Sequence, residues 1–541
     1  MKPLQLTVMI TALLFFGGGG CAPPDRWPVF DTGPDAELPD TDRPMSMAWE
    51  DVEPRFSEAP IILVPDEGAI DLSVEQAALL ALRNNPELKV RQANPVITAT
   101  FEQIERGVYD PEMFAEFEYD EERAVQTARS TGTQFSVQGT DRSTAAGVRQ
   151  ALPSGTTVEA TVQQDRTTSD RAPEQQTARL GLTITQALLR GFGPVANLAS
   201  VRQAELETLA SLYELRGFTE ALLAQTEIAY WHYVLAKQKI SIFERSLALA
   251  EQQLDVIEQR IEVGVLPQVE VAPARSEVAR RKQALIDARS DVEERRLRLL
   301  RLINLPRDRP LDVIVHPTSM ALIAPAPITD VADRLSLAQR LRPDLQEARL
   351  RLKQDRLEIA VTRNGLLPQL DLFVVLGETG YADTFSTSFH ELDENTNDYT
   401  VGVRLSHFLR NRAAKARDTA ARTAATQGVE AITNLKHIVR LDVRLAINEV
   451  ERARKQIAAS KATRVFEEET LAAENKRFDV GASTALLVAQ AQRDLLASRI
   501  AEVQAVINYR VALVRLYVTE GSLLERRGIR MPAGNESQGP Y

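Results

Sequence analysis

A single cysteine in 541 residues leaves no disulfide to form within the chain and no thiolate cluster for a metal. The five histidines, His232, His316, His390, His407 and His437, are scattered without ligand spacing. No C-x-x-C, Walker A or G-x-S-x-G pattern occurs. With no nucleophile set beside a base, no catalytic residue, metal ligand or cofactor is expected. Basic charge is not in excess either, since the net charge is -11, which argues against a nucleic-acid partner. Arg275, Lys282, Arg289 and Arg296 recur every seven residues, but acids are interleaved with them. That row reads as a solvated helix stripe. Apart from the N-terminus, no run approaches the ~18 apolar residues of a membrane-spanning helix. Aromatics make up only 6%, whereas Ala, Leu, Arg, Glu and Gln abound, the composition of long helices and coiled coils.

The N-terminus reads as a targeting segment. Lys2 precedes an apolar stretch from Leu4 to Phe16, too short to span a bilayer. Gly17 to Gly20 follow, and then Cys21. This arrangement resembles a bacterial lipoprotein signal, with Gly18 where a leucine is usual three residues before the cysteine. The resemblance implies a signal peptide over 1–20, lipidation of Cys21 and contact with outer-membrane lipid, because Ala22 rather than Asp follows the cysteine. An ordinary signal peptide with an incidental Cys21 is the alternative. Residues 21–70 are rich in Pro, Asp and Glu and read as an extended tether.

Beyond the tether the chain repeats itself. RIEVGVLPQVEVAPAR (260–275) matches RFDVGASTALLVAQAQ (477–492) at an offset of 217. The pair shares Arg260/Arg477, Val263/Val480 and Gly264/Gly481, and an acid, Glu262 or Asp479, precedes each V-G. Upstream, ALRNNPEL (81–88) matches AQRLRPDL (338–345), and Pro111 matches Pro368, at an offset of 257. A period this long is a tandem duplication, not a solenoid of ~20–50-residue repeats.

Each unit follows one plan. In repeat 1 (71–305), Ser73 with Gln76 is a capping-box start for a helix to about Gly107, which Pro86 and Pro95 should bend or interrupt. From Asp110 the period changes to 2, with further alternating runs at 133–138, 156–163 and 178–186 and a hairpin turn at Pro153-Ser154-Gly155. A long helix runs from about Pro194 to Val263, and a return helix runs from about Gln268 to Asn304. The return helix carries Val271, Val278, Leu285, Val292 and Leu299 seven apart, a coiled-coil seam. A proline-rich linker (306–330) follows. Repeat 2 (331–520) has a helix over about 331–365, strands near 368–377 and 398–406, a long helix over about 410–480 and a return helix over about 484–518. In that return helix Ala491, Ser498, Ala505 and Ala512 form a row of small residues that lets helices approach closely. The polar tail, 521–541, reads as frayed.

The early and return helices of a unit, laid end to end, match one long helix. This suggests a tube with the strands at one end and the glycine turns at the other. A membrane sheet must close, about four strands per chain are too few, and a trimer supplies about twelve. Phe114, Phe117, Tyr119, Phe373, Tyr381, Phe385, Tyr399 and Phe408 lie near the strands, as an interfacial belt or as the core face of a soluble sheet.

These features resemble the outer-membrane efflux protein family, the TolC-like exit ducts. The carriers are ALRNNPEL and RLRPDL at the unit starts, LTITQALLRGFG within 180–193 and the two R-x-x-V-G turns. The resemblance covers about 70–520. It implies a mainly α chain with a small β part, assembled as a homotrimer with a periplasmic α-barrel and an outer-membrane β-barrel of about four strands per chain. It also implies a periplasmic adaptor and an inner-membrane pump or ABC transporter as partners. The turns carrying Arg260, Val263, Gly264, Arg477, Val480 and Gly481 would then dock the adaptor and close the aperture. Some members carry a carboxylate six residues after the glycine. Glu270 matches it, but Leu487 stands there in the second turn, leaving Glu262 and Asp479 as further sources of negative charge. The extra hairpin of repeat 1 is not expected to change the strand count. The alternative is a pore-less coiled-coil adaptor or scaffold, which would have one helical hairpin rather than two complete units.

Overall fold

The computed structural model describes residues 68–529, apart from 128–129, 171, 307, 309, 322–323 and 394–395. The expected signal peptide, Cys21, most of the tether and the tail beyond 529 lie outside the described residues. In chain order the elements are β1 (Ile70–Leu72), α1 (Val74–Asn84), α2 (Pro86–Arg106), β2 (Glu112–Thr127), β3 (Gln134–Leu152), β4 (Thr156–Ser169), β5 (Ala172–Ala187), α3 (Ala199–Glu262) and α4 (Val271–Ile303). They continue with β6 (Val315–Pro317), α5 (Val331–Leu341), α6 (Pro343–Gly365), β7 (Gln369–Ala382), β8 (Asn397–Ser406), α7 (Arg412–Asp479) and α8 (Ala485–Glu520).

Helix boundaries follow local chemistry. Ser73 and Gln76 form the reciprocal capping box, with bonds of 3.2 and 2.9 Å. Pro86 interrupts the expected first helix, because Asn85 caps a new one by accepting from the Glu87 and Leu88 amides. Proline suits the first helical position, where its missing N–H is not needed. Pro343 makes the same break between α5 and α6, so the two matching octapeptides encode one stop and restart. Pro95 lies inside α2 without ending it.

The long helices α3 and α7 have 64 and 68 residues, a span of about 100 Å at ~1.5 Å per residue. Most of a helix's stability in a protein comes from the packing of one face, and each of these packs laterally along shorter ones. α3 lies along α2, α4, α6 and α8, and α7 lies along α5, α6 and α8. The α4 seam buries Val278, Leu285 and Leu299, and the small row of α8 buries Ala491, Ser498, Ala505 and Ala512. Three members of the heptad-spaced basic row of α4 are exposed and paired across the hairpin, whereas Arg296 is mostly covered and donates to the Leu311 and Val313 carbonyls. Arg275, Lys282 and Arg289 meet Glu258, Glu251 and Glu244 of α3 at 2.8, 3.1 and 3.7 Å. The acids descend by sevens as the bases ascend, which is the signature of antiparallel helices. Exposed pairs of this kind contribute at most about 1 kcal/mol each.

The main core lies where the halves join. β1 pairs in parallel with β6, a strand inside the linker. Fully buried Tyr230 and Tyr233 donate to the Leu72 and Val315 carbonyls at 2.9 and 2.6 Å. The start of the tail is not frayed. Leu523 and Leu524 are buried, and Arg527 pairs with Glu227 at 2.7 Å. Apolar anchorage and a buried charge partner override its polar composition. Nearby, buried Glu220 stands 3.4 Å from Arg216, which also binds Glu525. Burial, with Glu525 adding to it and Arg216 only partly offsetting it, pushes the Glu220 carboxyl up to about 8.

The strand count differs from expectation. Six strands, not about four, form one sheet in the order β2-β3-β4-β5-β7-β8. The β3–β4 hairpin closes at Gly155, whose amide donates to Leu152 at 2.9 Å. The hairpin inserts between β2 and β5, in continuous register with β2 and, up to a bulge between Thr167 and Ser169, with β5, because its alternation matches theirs over that length.

Candidate functional site

Two surfaces carry the functional argument, at opposite ends of the long helices. At the turn end, both R-x-x-V-G segments fold alike. The Gly264 amide bonds the Ile261 carbonyl at 2.9 Å and the Val265 amide bonds the Arg260 carbonyl at 2.8 Å. In the second turn Gly481 bonds Phe478 at 3.1 Å and Ala482 bonds Arg477 at 2.8 Å. These are paired Schellman caps with the glycine in the left-handed region, φ +76° in each. Arginine and valine thus mark the third-last helical position and the cap.

The side chains lace the two turns together. Arg260 pairs with Asp479 at 2.7 Å and stacks on Phe478, 5.4 Å from its ring centre. Glu270 accepts from the Ala485 amide at 3.1 Å, capping the start of α8 from the other turn. Beneath them Ile257, Ala274, Leu471, Phe478, Val488 and Leu495 form a small core. Arg477 remains within its own turn, 3.5 Å from Glu474. Glu262 is exposed one residue before Val263. Val263, Val265, Val269, Val480, Leu486 and Leu487 are all exposed at this end.

The sheet has two unlike faces. The ladder places Met113, Phe117 and Tyr119 on one face with Val148, Val162, Leu180, Leu182, Val374, Leu376, Val401, Val403 and Leu405. Many of these are exposed, Tyr399 beside them by 80%. The opposite face carries Glu112, Glu116, Glu118, Asp120 and Glu122 of β2, Thr161 and Gln163 of β4, and Arg179 paired with Asp398 at 2.7 Å. It also repeats one packing unit, with Phe114 lying against Gly147 and under Arg149, and Phe373 against Gly402 and under Arg404. Among the described residues no helix is long and apolar enough to cross a membrane, and no His/Cys/Asp/Glu group could hold a metal ion.

The family model described as outer membrane efflux protein matches residues 151–305 and 335–522. The chain belongs to that family. The Brucella suis biovar 1 outer membrane efflux protein BepC is 25% identical over 330 residues, 61% of this chain and 69% of its own. The Pseudomonas putida pyoverdine export outer membrane protein OpmQ is 26% identical over 339 residues, 60% and 67% of the two chains. In fold, the outer-membrane channel OprN superposes with a TM-score of 0.64 at 18% identity, covering 91% of this chain and 99% of that one. The efflux protein is an outer-membrane exit duct, and the mainly α fold with a strand part is that of its neighbours.

Outer-membrane location assigns the sheet faces. The apolar face is the one that lipid can cover, and the polar, acid-rich face is the one that water can fill. Of the aromatics expected as a belt, Tyr119 and Tyr399 lie on the apolar face towards the outer ends of their strands, whereas Phe114, Phe373 and Tyr381 lie on the polar face. Sequence reasoning found the turns and the aromatic strands. It missed the Arg260–Asp479 and Glu270–Ala485 links, which join residues over 200 positions apart and follow only from the two hairpins packing side by side with their tips at the same end.

Proposed function

We propose that the efflux protein works as a homotrimer that performs no chemistry. It passes substrates delivered by a periplasmic adaptor and an inner-membrane pump or ABC transporter through a helical tube to the exterior. The glycine-turn end lies in the periplasm, docks the adaptor through its exposed valines and leucines, and closes the tube. The observation that carries this reading is the pair of cross-turn bonds, Arg260–Asp479 and Glu270–Ala485. They hold the two hairpin tips of one chain together and must part or rearrange if the return helices shift about Gly264 and Gly481. Glu262, Glu270 and Asp479 place negative charge at this mouth, favouring cations.

Light scattering on detergent-extracted protein should give three times the chain mass, and a monomer overturns the trimer. Planar-bilayer recordings of Glu270→Ala with Asp479→Ala should show higher open probability and weaker cation preference than the unaltered duct. Unchanged conductance and selectivity in the double variant would remove the gate from these residues.

A further inference from the structure

The sheet leaves two open edges, β2 and β8, which run in opposite directions because the five joints between them are all antiparallel. Open edges cannot face lipid, so the sheet must close, and six strands fall short of the ~8 of the smallest membrane barrels. Both edges carry the apolar face to their margins, with Met113 and Phe117 on one and Val401, Val403 and Leu405 on the other.

The ladder also gives the tilt. From Met113 the row perpendicular to the strands passes Val148, Ala160, Leu182 and Leu376 and ends at Tyr399. Met113 and Leu405 are the band residues next to the helix junctions, and Tyr399 is six residues before Leu405. The apolar band therefore slides by six residues over five interstrand steps. At ~3.3 Å per residue and ~4.8 Å per step this is a tilt of about 40°, within the ~35–45° of closed membrane barrels. The β3–β4 hairpin takes part in the slide. It presents Ala146, Val148, Ala160 and Val162 to the apolar face at the level of its neighbours, and Ser143, Thr161 and Gln163 to the polar one.

We infer that each copy's β8 pairs with β2 of the next copy, so that three copies close one barrel of eighteen strands with the β3–β4 hairpins in its wall. The number of copies rests on the trimer proposed above, whereas the six strands per copy do not. Barrel diameter grows roughly linearly with strand number, so the bore is about half again as wide as that of twelve strands, and barrels of ~16–18 strands hold an aqueous channel. The acids of β2 recur three times around the lumen. The sheet end thus passes large hydrated solutes and favours cations, and size selection falls to the turn end.

Cysteine pairs in outer membranes test the wall, with single variants as controls, since the native chain has one cysteine. Ala115→Cys with Ala146→Cys, opposed in the β2–β3 ladder, should cross-link within one chain. Ala115→Cys with Val403→Cys should cross-link between chains into a ladder ending at the trimer. Ala115→Cys with Leu182→Cys should remain unlinked. Linkage of 115 to 182 within a chain, with 115 to 146 silent, places the hairpin outside a twelve-stranded barrel and overturns the inference. Projection images of the unaltered protein by electron cryomicroscopy decide it independently, by eighteen strands against twelve. A particle with another number of copies but six strands from each would overturn the trimer alone.

Discussion

The two tip turns cap their long helices alike and are opposite in wiring. Both end a long helix with the same Schellman bonds and the same glycine φ. Yet the first turn supplies the reaching side chains, Arg260 and Glu270, and the second supplies what they reach, Asp479 and the Ala485 amide. Duplication preserved the element that depends on backbone sterics and let the side chains become complementary. The substitution of Leu487 for a second Glu270 is then part of the design, since Ala485 already receives its cap from the first turn.

The comparison can be pressed at four points. The largest effect belongs to the paired long helices rather than the tips. Buried Glu220 in α3 corresponds, 217 residues on, to exposed His437 in α7. Because the Glu220 carboxyl is raised to about 8 while an unfolded glutamate stays near its usual value, the folded chain keeps a proton that the unfolded chain has lost. The stability that this group contributes is therefore full below about pH 4.5 and is lost as pH rises towards 8. The melting temperature should decline across that window, Glu220→Gln should flatten the decline, and His437→Gln should leave it intact.

Next come the glycines. An added Cβ meets nothing within 4 Å at Gly264 or Gly481, so Gly264→Ala and Gly481→Ala should each cost about 1–2 kcal/mol through backbone strain alone. Denaturant unfolding should give equal losses for the two, and a large inequality would mean that the turns are not equivalent. Glu270→Ala should lose a helix cap of about 1 kcal/mol and speed hydrogen exchange at Ala485, whereas Leu487→Ala should leave that amide unchanged. Smallest is the Arg260–Asp479 pair, whose aspartate side chain is 61% exposed. A double-mutant cycle should give about 0.2–1 kcal/mol, fading as salt rises.

The helices were legible because their signals are local. Ser73, Pro86, Pro343, Gly264 and Gly481 each set a boundary by their own stereochemistry, and seven-residue spacing exposed the seams of α4 and α8. All six strand segments were visible as alternation near their observed places, yet the sheet was expected to hold about four. Alternation says which residues share a face but not which strands are neighbours. That β3 and β4 enter the sheet, instead of standing apart as an outer hairpin, is decided by pairing partners far away in sequence. The packed start of the tail was hidden for the same reason, since Arg527 finds Glu227 300 residues upstream.

The hairpin between β2 and β5 bears on how such a duct can vary. A hairpin adds one outgoing and one returning strand, so both chain crossings into the helices keep their direction and both sheet edges keep their partners. A single added strand would send α3 to the wrong side of the membrane. The mouth of this molecule can therefore be widened over evolutionary time only in steps of two strands per copy, while the machinery at the distant tip is left untouched.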